Sequence, residues 1–94
     1  MTNPVVVYFN YMLFEAQHDG VGHVLRRYVA RDLTPVPFQD ETNISTIYGT
    51  SEAQTCGLTV DEASGVIFAD IPTGGGLVTR MSTDFGDSWT TVGI

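Results

Sequence analysis

The sequence predicts an all-β fold, with residues 1–94 forming a single domain. Residues with β-branched and aromatic side chains occur in short runs, and clusters of Gly, Pro, Asp and Ser separate these runs, as strands and turns require. No window of about eleven residues or more has apolar side chains at a convincing helical spacing. The best candidate for a helix is the short stretch 23–32, and a strand is the preferred interpretation there as well.

The expected strands follow one another along the whole chain. In chain order they are VVVYFN at 5–10, YMLFEAQ at 11–17, GHVLRRYVA at 22–30, ISTIYGT at 44–50, CGLTVDE at 56–62, GVIFADI at 65–71, GLVTRMS at 76–82 and SWTTVGI at 88–94. Turn-forming residues bound each run, so neighbouring strands are expected to pair as antiparallel hairpins.

The chain also contains an internal repeat with an offset of 54 residues. Residues 12–27 and 66–81 each read as an apolar strand, a glycine-containing turn and a second strand. The identical positions are Phe14 and Phe68, Gly20 and Gly74, Gly22 and Gly76, Val24 and Val78, and Arg26 and Arg80. These identities predict the duplication of one structural unit.

Residues 82–89, STDFGDSW, follow the pattern S-x-D-x-G-x-x-W between two expected strands. A hairpin of this kind needs a side-chain acceptor for backbone N–H groups, a residue that adopts positive φ, and a large apolar anchor where the chain re-enters the sheet. Asp84, Gly86 and Trp89 supply these three features in that order, and the hydroxyl of Ser82 can add a short hydrogen bond. Asp84 is therefore predicted to hold a turn rather than to take part in a reaction.

This pattern resembles the Asp-box (BNR motif) of the sialidase-type and sortilin-type β-propellers, where the motif closes the hairpin between the third and fourth strands of a blade. Residues 57–92 look like one whole four-stranded blade of that kind. In that family the motif is structural, and its aspartate lies away from the catalytic face. The resemblance implies that Ser82, Asp84, Gly86 and Trp89 are structural residues.

The first half of the chain departs from the motif. Where the repeat predicts a second Asp-box the sequence is YVARDLTPVPF, which lacks the order aspartate, glycine, tryptophan. Residues 5–40 are therefore expected to form a degenerate blade-like unit, 41–56 a connecting segment and 57–94 the Asp-box unit. Pro35 and Pro37 suit an edge strand, because neither residue can donate a hydrogen bond to a ladder.

Two blade-like units in one chain imply partners. A propeller has typically about 4–8 blades, and a blade does not bury both of its faces alone. Closed symmetric assembly would solve this problem, since three chains, for example, would make a ring of about six blades. Small lectins that resemble this plan consist of two-blade chains that trimerise, with sugar sites between blades. The alternative fold is a single small β-sandwich that docks on something larger.

Charge and composition narrow the choice of partner. The net charge of -7, with four arginines and no lysine, leaves no basic stripe that could follow a phosphate backbone, so nucleic acid is not expected as a ligand. No apolar run approaches the roughly 20 residues that span a bilayer, and the start MTNPVVVYFNYMLF lacks the basic and small residues of a secretory signal. Cys56 is the only cysteine, so no internal disulfide is expected, and a buried apolar role is preferred to a reactive thiol.

The residues that suggest catalysis do not form a catalytic pattern. A sialidase needs an arginine cluster, a tyrosine nucleophile with a carboxylate partner and an acid-base aspartate on one face, and no motif places Arg26, Arg80 and Tyr28 together. Arg26 and Arg80 lie at equivalent places of the repeat and are instead candidates for a repeated anion or sugar contact. His18 and His23 match no standard metal-ligand spacing, so no metal, cofactor or catalytic residue is predicted.

The expected function is that of a non-enzymatic structural or assembly module, in particular a bacteriophage virion component such as a capsid decoration or a tail-associated protein. Its expected partners are further copies of the chain or other virion proteins, and its expected location is the virion or the medium after lysis, or the cytoplasm if neither applies. The alternative is an oligomeric carbohydrate-binding protein with pockets between blades. Candidates for stacking on sugar rings would then be Tyr8, Phe9, Tyr11 and Phe14.

Overall fold

The structure of the chain is a computed structural model that describes residues 4–18, 20, 22–37 and 56–93. In these residues there are eight β-strands and no helix, which confirms the predicted all-β fold. The strands are β1 Val5–Phe9, β2 Met12–His18, β3 His23–Val29, β4 Thr34–Pro35, β5 Gly57–Asp61, β6 Val66–Thr73, β7 Gly76–Ser82 and β8 Thr90–Gly93.

Most strand boundaries agree with the sequence expectations to within a few residues. The stretch that competed as a helix forms β3 instead. The strand expected at 44–50 lies outside the described residues. Strand β4 was not expected as a separate strand, and it is only two residues long. Pro35 lies in it at the edge of its sheet, where a missing N–H group does not interrupt a ladder.

The strands form two antiparallel sheets in which each strand pairs with its neighbours along the chain. The strand order is β1-β2-β3-β4 in the first sheet and β5-β6-β7-β8 in the second. This arrangement confirms the prediction of two tandem four-stranded antiparallel units. All the connections within a sheet are hairpins, so each sheet can form from residues that are close together in sequence.

The two sheets have matching registers. In the first sheet Glu15 lies opposite Arg26, and the residues 54 positions later, Ala69 and Arg80, also lie opposite each other. The third hairpins follow the same offset, so the turn 30–33 corresponds to the turn 84–87. The first hairpin differs, because two residues join β1 to β2 and four join β5 to β6. The offset for β1 and β5 is therefore two residues shorter.

The core lies between one face of each sheet, which we call the inner faces. Because side chains alternate along a strand and opposed residues share a face, the register assigns each residue to an inner or an outer face. The first inner face includes Val7, Phe9, Phe14, Ala16 and Leu25, and the second includes Leu58, Val60, Ile67, Ala69 and Ile71. Full burial of a Phe, Leu or Ile side chain stabilises a fold by about 1.5–3 kcal/mol, so this contact is the main source of stability.

The outer faces are opposite to the inner ones, and several of their side chains are exposed. The first outer face contains Val6, Tyr8, Leu13, Glu15, Arg26 and Tyr28, and the second contains Thr59, Phe68, Asp70, Thr79 and Met81. Val6 is 46% exposed and Tyr8 is 59% exposed, whereas Phe68 and Met81 are half-buried. Both outer faces thus present apolar surface along with polar groups.

Candidate functional site

The turn at 82–89 is held by short hydrogen bonds between its own residues. Asp84 accepts a hydrogen bond from the backbone N–H of Ser88 at 2.9 Å, and a second from the hydroxyl of Ser82 at 2.9 Å. Its other carboxylate oxygen accepts from the Ser88 hydroxyl. The Ser82 hydroxyl oxygen in turn accepts from the N–H of Gly86 at 2.8 Å. Both side chains therefore connect the two ends of the turn.

Trp89 lies where the chain enters β8, and its side chain belongs to the hydrophobic core. It is only 8% exposed, and its indole Nε1–H donates to the carbonyl oxygen of Gly86 at 3.1 Å. A buried indole needs such an acceptor, because an unpaired N–H group in the core costs about 1–3 kcal/mol. The indole thus ties the turn to the core by both packing and a polar contact.

The hydrogen bonds also determine the protonation state of Asp84. The bond from the Ser88 hydroxyl, followed by that from the Ser88 backbone, lowers the pKa of the Asp84 carboxyl below its usual value. A general acid near neutral pH needs the opposite shift, because it must keep its proton until the reaction. At neutral pH Asp84 is ionised and acts as an acceptor, which is the chemistry of a turn-holding residue.

The same turn also packs on the first sheet. Gly86 has a φ of 89°, and a Cβ at this position would lie 3.0 Å from the Cε1 atom of Phe14. A glycine is needed here for both reasons, since other residues rarely adopt this backbone conformation and would contact the ring too closely. The ring of Phe85 stacks on that of Phe9, with their centroids 5.9 Å apart. The turn is therefore part of the contact between the sheets.

Arg27 makes polar contacts between the turn and the first sheet, and it was not among the residues predicted from the sequence. Its side chain is 5% exposed. Nη1 donates to the carbonyl oxygen of Phe85 at 2.8 Å, while Nε and Nη2 donate to those of Val36 and Pro37 at 3.2 and 3.0 Å. Nη2 also lies 2.7 Å from the carboxylate of Asp87, which is 67% exposed. The feature that marks Arg27 as a buried residue is its position on the inner face, directly opposite Phe14 in the register.

The structure places Arg26 and Arg80 at equivalent positions but in different surroundings. Arg26 is on the first outer face, where it forms an ion pair with Glu15 at 3.5 Å. Arg80 is on the second inner face, and its Nη1 donates to the hydroxyl of Thr91 at 2.7 Å. Burial lowers the pKa of the Arg80 guanidinium, although an arginine remains charged at neutral pH. Arg26 therefore faces an outer surface, whereas Arg80 faces the core.

The first unit has its own turn where the Asp-box pattern is lost. In this turn Asp32 accepts hydrogen bonds from the backbone N–H of Thr34 at 3.1 Å and from its hydroxyl at 2.7 Å. The residue at the place of Asp84 is Ala30, and the residue at the place of Trp89 is Pro35. Leu33 in this turn has a φ of 57° and is 58% exposed. Compared with the Asp-box turn, this turn has its carboxylate two positions later, and Pro35 takes the place of the buried tryptophan.

Other residues that could carry chemistry lie in protected places. His18 and His23 face each other across the β2–β3 hairpin, both with 0% exposure and with ring centroids 4.9 Å apart. Cys56 is buried, and burial raises the pKa of its thiol to about 11, so the thiol is protonated at neutral pH. Within the described residues, His, Cys, Asp and Glu form no group of three or more that could hold a metal ion.

Three clefts of the described chain lie on or beside the first outer face, and a wider one lies between β1 and β5. A cleft of about 340 Å³ is lined by Val24, Arg26, Arg27, Tyr28 and Pro35. A second, of about 270 Å³, is mostly apolar and is lined by Val6, Leu13, Glu15, Tyr28 and Leu33. A third is lined by Tyr8, Tyr11, Val29, Ala30 and Arg31. Such surfaces can accept apolar side chains or a planar ring.

No protein-family model, curated protein or solved structure is significantly similar to this chain. In the described residues, no helix has the length and apolar character that crossing a membrane would need. The function must therefore be inferred from the geometry above.

Proposed function

We propose that this chain is a non-enzymatic structural module that works as part of an assembly. The observation that carries the proposal is that the two sheets bury one face each against the other, while apolar side chains on both outer faces are exposed. Val6, Tyr8 and Leu77 are between 46% and 59% exposed. Exposed apolar patches of this kind mark interaction surfaces in small proteins.

The arrangement of the polar residues supports a structural role over a catalytic one. The carboxylate of Asp84 accepts hydrogen bonds within its own turn, and the guanidinium of Arg27 binds three backbone carbonyl oxygens. Both groups therefore hold the fold. Nucleophilic catalysis needs an activated group, and the thiol of Cys56 has a pKa shifted away from the reactive thiolate.

The two units are the size of blades, and a propeller has typically about 4–8 of them. A ring of two to four copies would thus cover the outer faces, as the resemblance to Asp-box propellers also implies. We propose a bacteriophage virion as the setting, with the chain acting as a capsid decoration or a tail-associated protein. A small module used in many copies suits such a particle, and other virion proteins are then the second class of partner.

The second candidate function is carbohydrate binding in an oligomer. The observation that favours it is the cleft on the first sheet, in which Arg26 lies beside the half-buried ring of Tyr28. Guanidinium groups and aromatic rings are common in sugar sites because they combine hydrogen-bond donors with a flat apolar surface. Arg80 does not extend this surface, since it is on the inner face of the other sheet.

Native mass spectrometry and a glycan array separate the two functions. The structural proposal predicts a discrete oligomer and no specific glycan signal. Specific binding that Arg26→Ala abolishes would support the carbohydrate-binding function instead. Glu62→Ala is the control, because it removes an exposed charge outside the cleft that contains Arg26. A protein that remains a single chain and also binds a glycan would contradict the structural proposal.

A further inference from the structure

We propose that the two outer faces bind each other between copies of the chain, head to tail. The outer face of the second sheet of one copy would cover the outer face of the first sheet of the next copy. This inference rests on the proposed assembly function and names its partner, a second copy of this chain, along with the surface that binds it.

The strand registers show that the outer face of each sheet corresponds, position by position, to the inner face of the other sheet. Phe14 is on the first inner face, and its equivalent in the second sheet, Phe68, is on the outer face. Conversely, Leu13 is on the first outer face, and its equivalent, Ile67, is buried in the core. The positions of the second outer face therefore correspond to those of the first inner face, and the positions of the first outer face correspond to those of the second inner face.

Two copies can consequently meet in the same general arrangement as the two sheets of one copy, with a wider separation at the turn 30–33, because Asp32 takes the place of Gly86 opposite Phe68, the equivalent of Phe14. The contact within the chain then tells which residues would face each other in the contact between copies. A pair of residues that touch within the chain is converted into a pair between copies by taking the equivalent of each residue in the other sheet. Side-chain chemistry at the replaced positions provides a test of this arrangement, because an interface needs complementary pairs.

The first pair to be replaced is the ion pair of Arg27 with Asp87. The equivalent of Arg27 is Met81, and the equivalent of Asp87 is Leu33. An ion pair within the chain would thus become an apolar pair between copies. Leu33 is 58% exposed and at positive φ, a backbone conformation that is unfavourable for leucine. Burial against Met81 of another copy would give this side chain a role.

The second pair is the stack of Phe9 on Phe85. The β1–β2 and β5–β6 registers make Asp61 the equivalent of Phe9, since both residues close their first hairpin. The equivalent of Phe85 is Arg31. An aromatic pair within the chain would become an ion pair between copies, and both Asp61 and Arg31 are exposed. At both sites, therefore, the two residues differ together and remain complementary.

The contact joins two different surfaces, so it is heterologous and leaves one unused face at each end of a dimer. Heterologous contacts generate either a closed ring or an open filament, depending on the rotation between copies. The faces that would meet contain more polar groups than the core, including Asp70, Thr79 and Glu15. This is typical of contacts between separately folded units.

Charge reversal tests the contact directly. Sedimentation velocity would measure association of the wild type, Asp61→Arg, Arg31→Asp and the double variant. Each single reversal places like charges together and should weaken association at least tenfold, because such pairs cost several kcal/mol at an interface. The double variant restores opposite charges and should recover to within about threefold of the wild type. Glu62→Arg is the matched control, since it makes the same charge change at the adjacent exposed position and should leave association unchanged.

Each outcome supports or overturns the inference. Association that neither single reversal weakens, or that the double variant fails to recover, overturns the head-to-tail contact while leaving the assembly function in place. A wild type that never associates overturns both. If Asp61→Arg does not fold, Asp61→Asn serves in its place. It removes the charge and keeps an acceptor for the N–H of Ala63, which Asp61 binds at 3.2 Å, and it should weaken association by a smaller factor.

Discussion

Arg27 on the first sheet donates a hydrogen bond of 2.8 Å from Nη1 to the carbonyl oxygen of Phe85 on the second. The turn that supplies this carbonyl is held by Asp84 and Ser82, and it packs against the ring of Phe14 through Gly86. The turn at 82–89 thus has two structural tasks. It closes a hairpin of its own sheet, and it presents backbone carbonyl and apolar groups to the other sheet.

Replacement of Arg27 by Met should lower the free energy of unfolding by about 1.5–3 kcal/mol, because hydrogen bonds from a charged group to buried carbonyl oxygens are lost. Met is the residue at the equivalent place in the second sheet, so it suits the strand. Asp87→Asn should change stability by less than about 1 kcal/mol, because Asp87 is mostly exposed. Urea unfolding followed by circular dichroism measures both. Equal effects would contradict the view that the carbonyl contacts dominate.

Replacement of Gly86 by Ala should destabilise the fold more than replacement of Gly76 by Ala. Both glycines have positive φ, but a Cβ on Gly86 would lie 3.0 Å from Phe14 whereas one on Gly76 would meet nothing within 4 Å. Both variants bear a backbone cost, at φ values of 89° and 121°, and overpacking adds about 1–3 kcal/mol to the first. The difference between their unfolding free energies then reports mainly on the contact with Phe14. No difference would show that the turn can move away from the ring.

The contribution of Asp84 should depend on pH in a defined direction. Hydrogen bonds lower its pKa in the folded state, so the stabilisation is fully present above the unfolded pKa of about 3.9 and is lost as the pH falls through the folded pKa. Asp84→Asn should cost about 1 kcal/mol at neutral pH, because hydrogen bonds to a charged acceptor become weaker hydrogen bonds to a neutral one. Urea unfolding of both proteins should show that this difference is constant above about pH 5 and shrinks below about pH 4.

A suitable control for this experiment is Asp32→Asn. Hydrogen bonds from Thr34 also lower the pKa of Asp32, but this carboxylate accepts two hydrogen bonds whereas that of Asp84 accepts three, so its variant should show a smaller pH dependence. A difference between wild type and Asp84→Asn that grows on acidification would contradict the role of the ionised carboxylate.

The fold was largely predictable because its contacts within each sheet are local. Strands such as β2 and β6 appear in the sequence as apolar runs between turn residues, and hairpins join all the paired strands. The hydrogen bonds of Asp84 likewise connect residues no more than four positions apart, and a short sequence pattern carries information about such bonds. Pro35 was expected in an edge strand, but the bounds of β4 were not predicted because it is only two residues long.

The contact between the two sheets could not be predicted from the sequence pattern. Arg27 and Phe85 are 58 positions apart, and Arg27 is next to Arg26, which has a similar local context but faces the other side of the strand. Only the register decides which of the two arginines is buried. Arg26 and Arg80 are equivalent in the sequence repeat, yet the side chain of Arg26 is on an outer face and that of Arg80 is on an inner face.

Disulfide cross-linking tests the central claim most directly, namely that the second outer face of one copy meets the first outer face of another. Leu33→Cys and Met81→Cys would be prepared separately in a Cys56→Ala background, mixed, and oxidised. Head-to-tail contact predicts rapid formation of a disulfide between the two variants and little cross-linking of either variant alone. Rapid cross-linking of Met81→Cys to itself, or none in the mixture, would contradict the account.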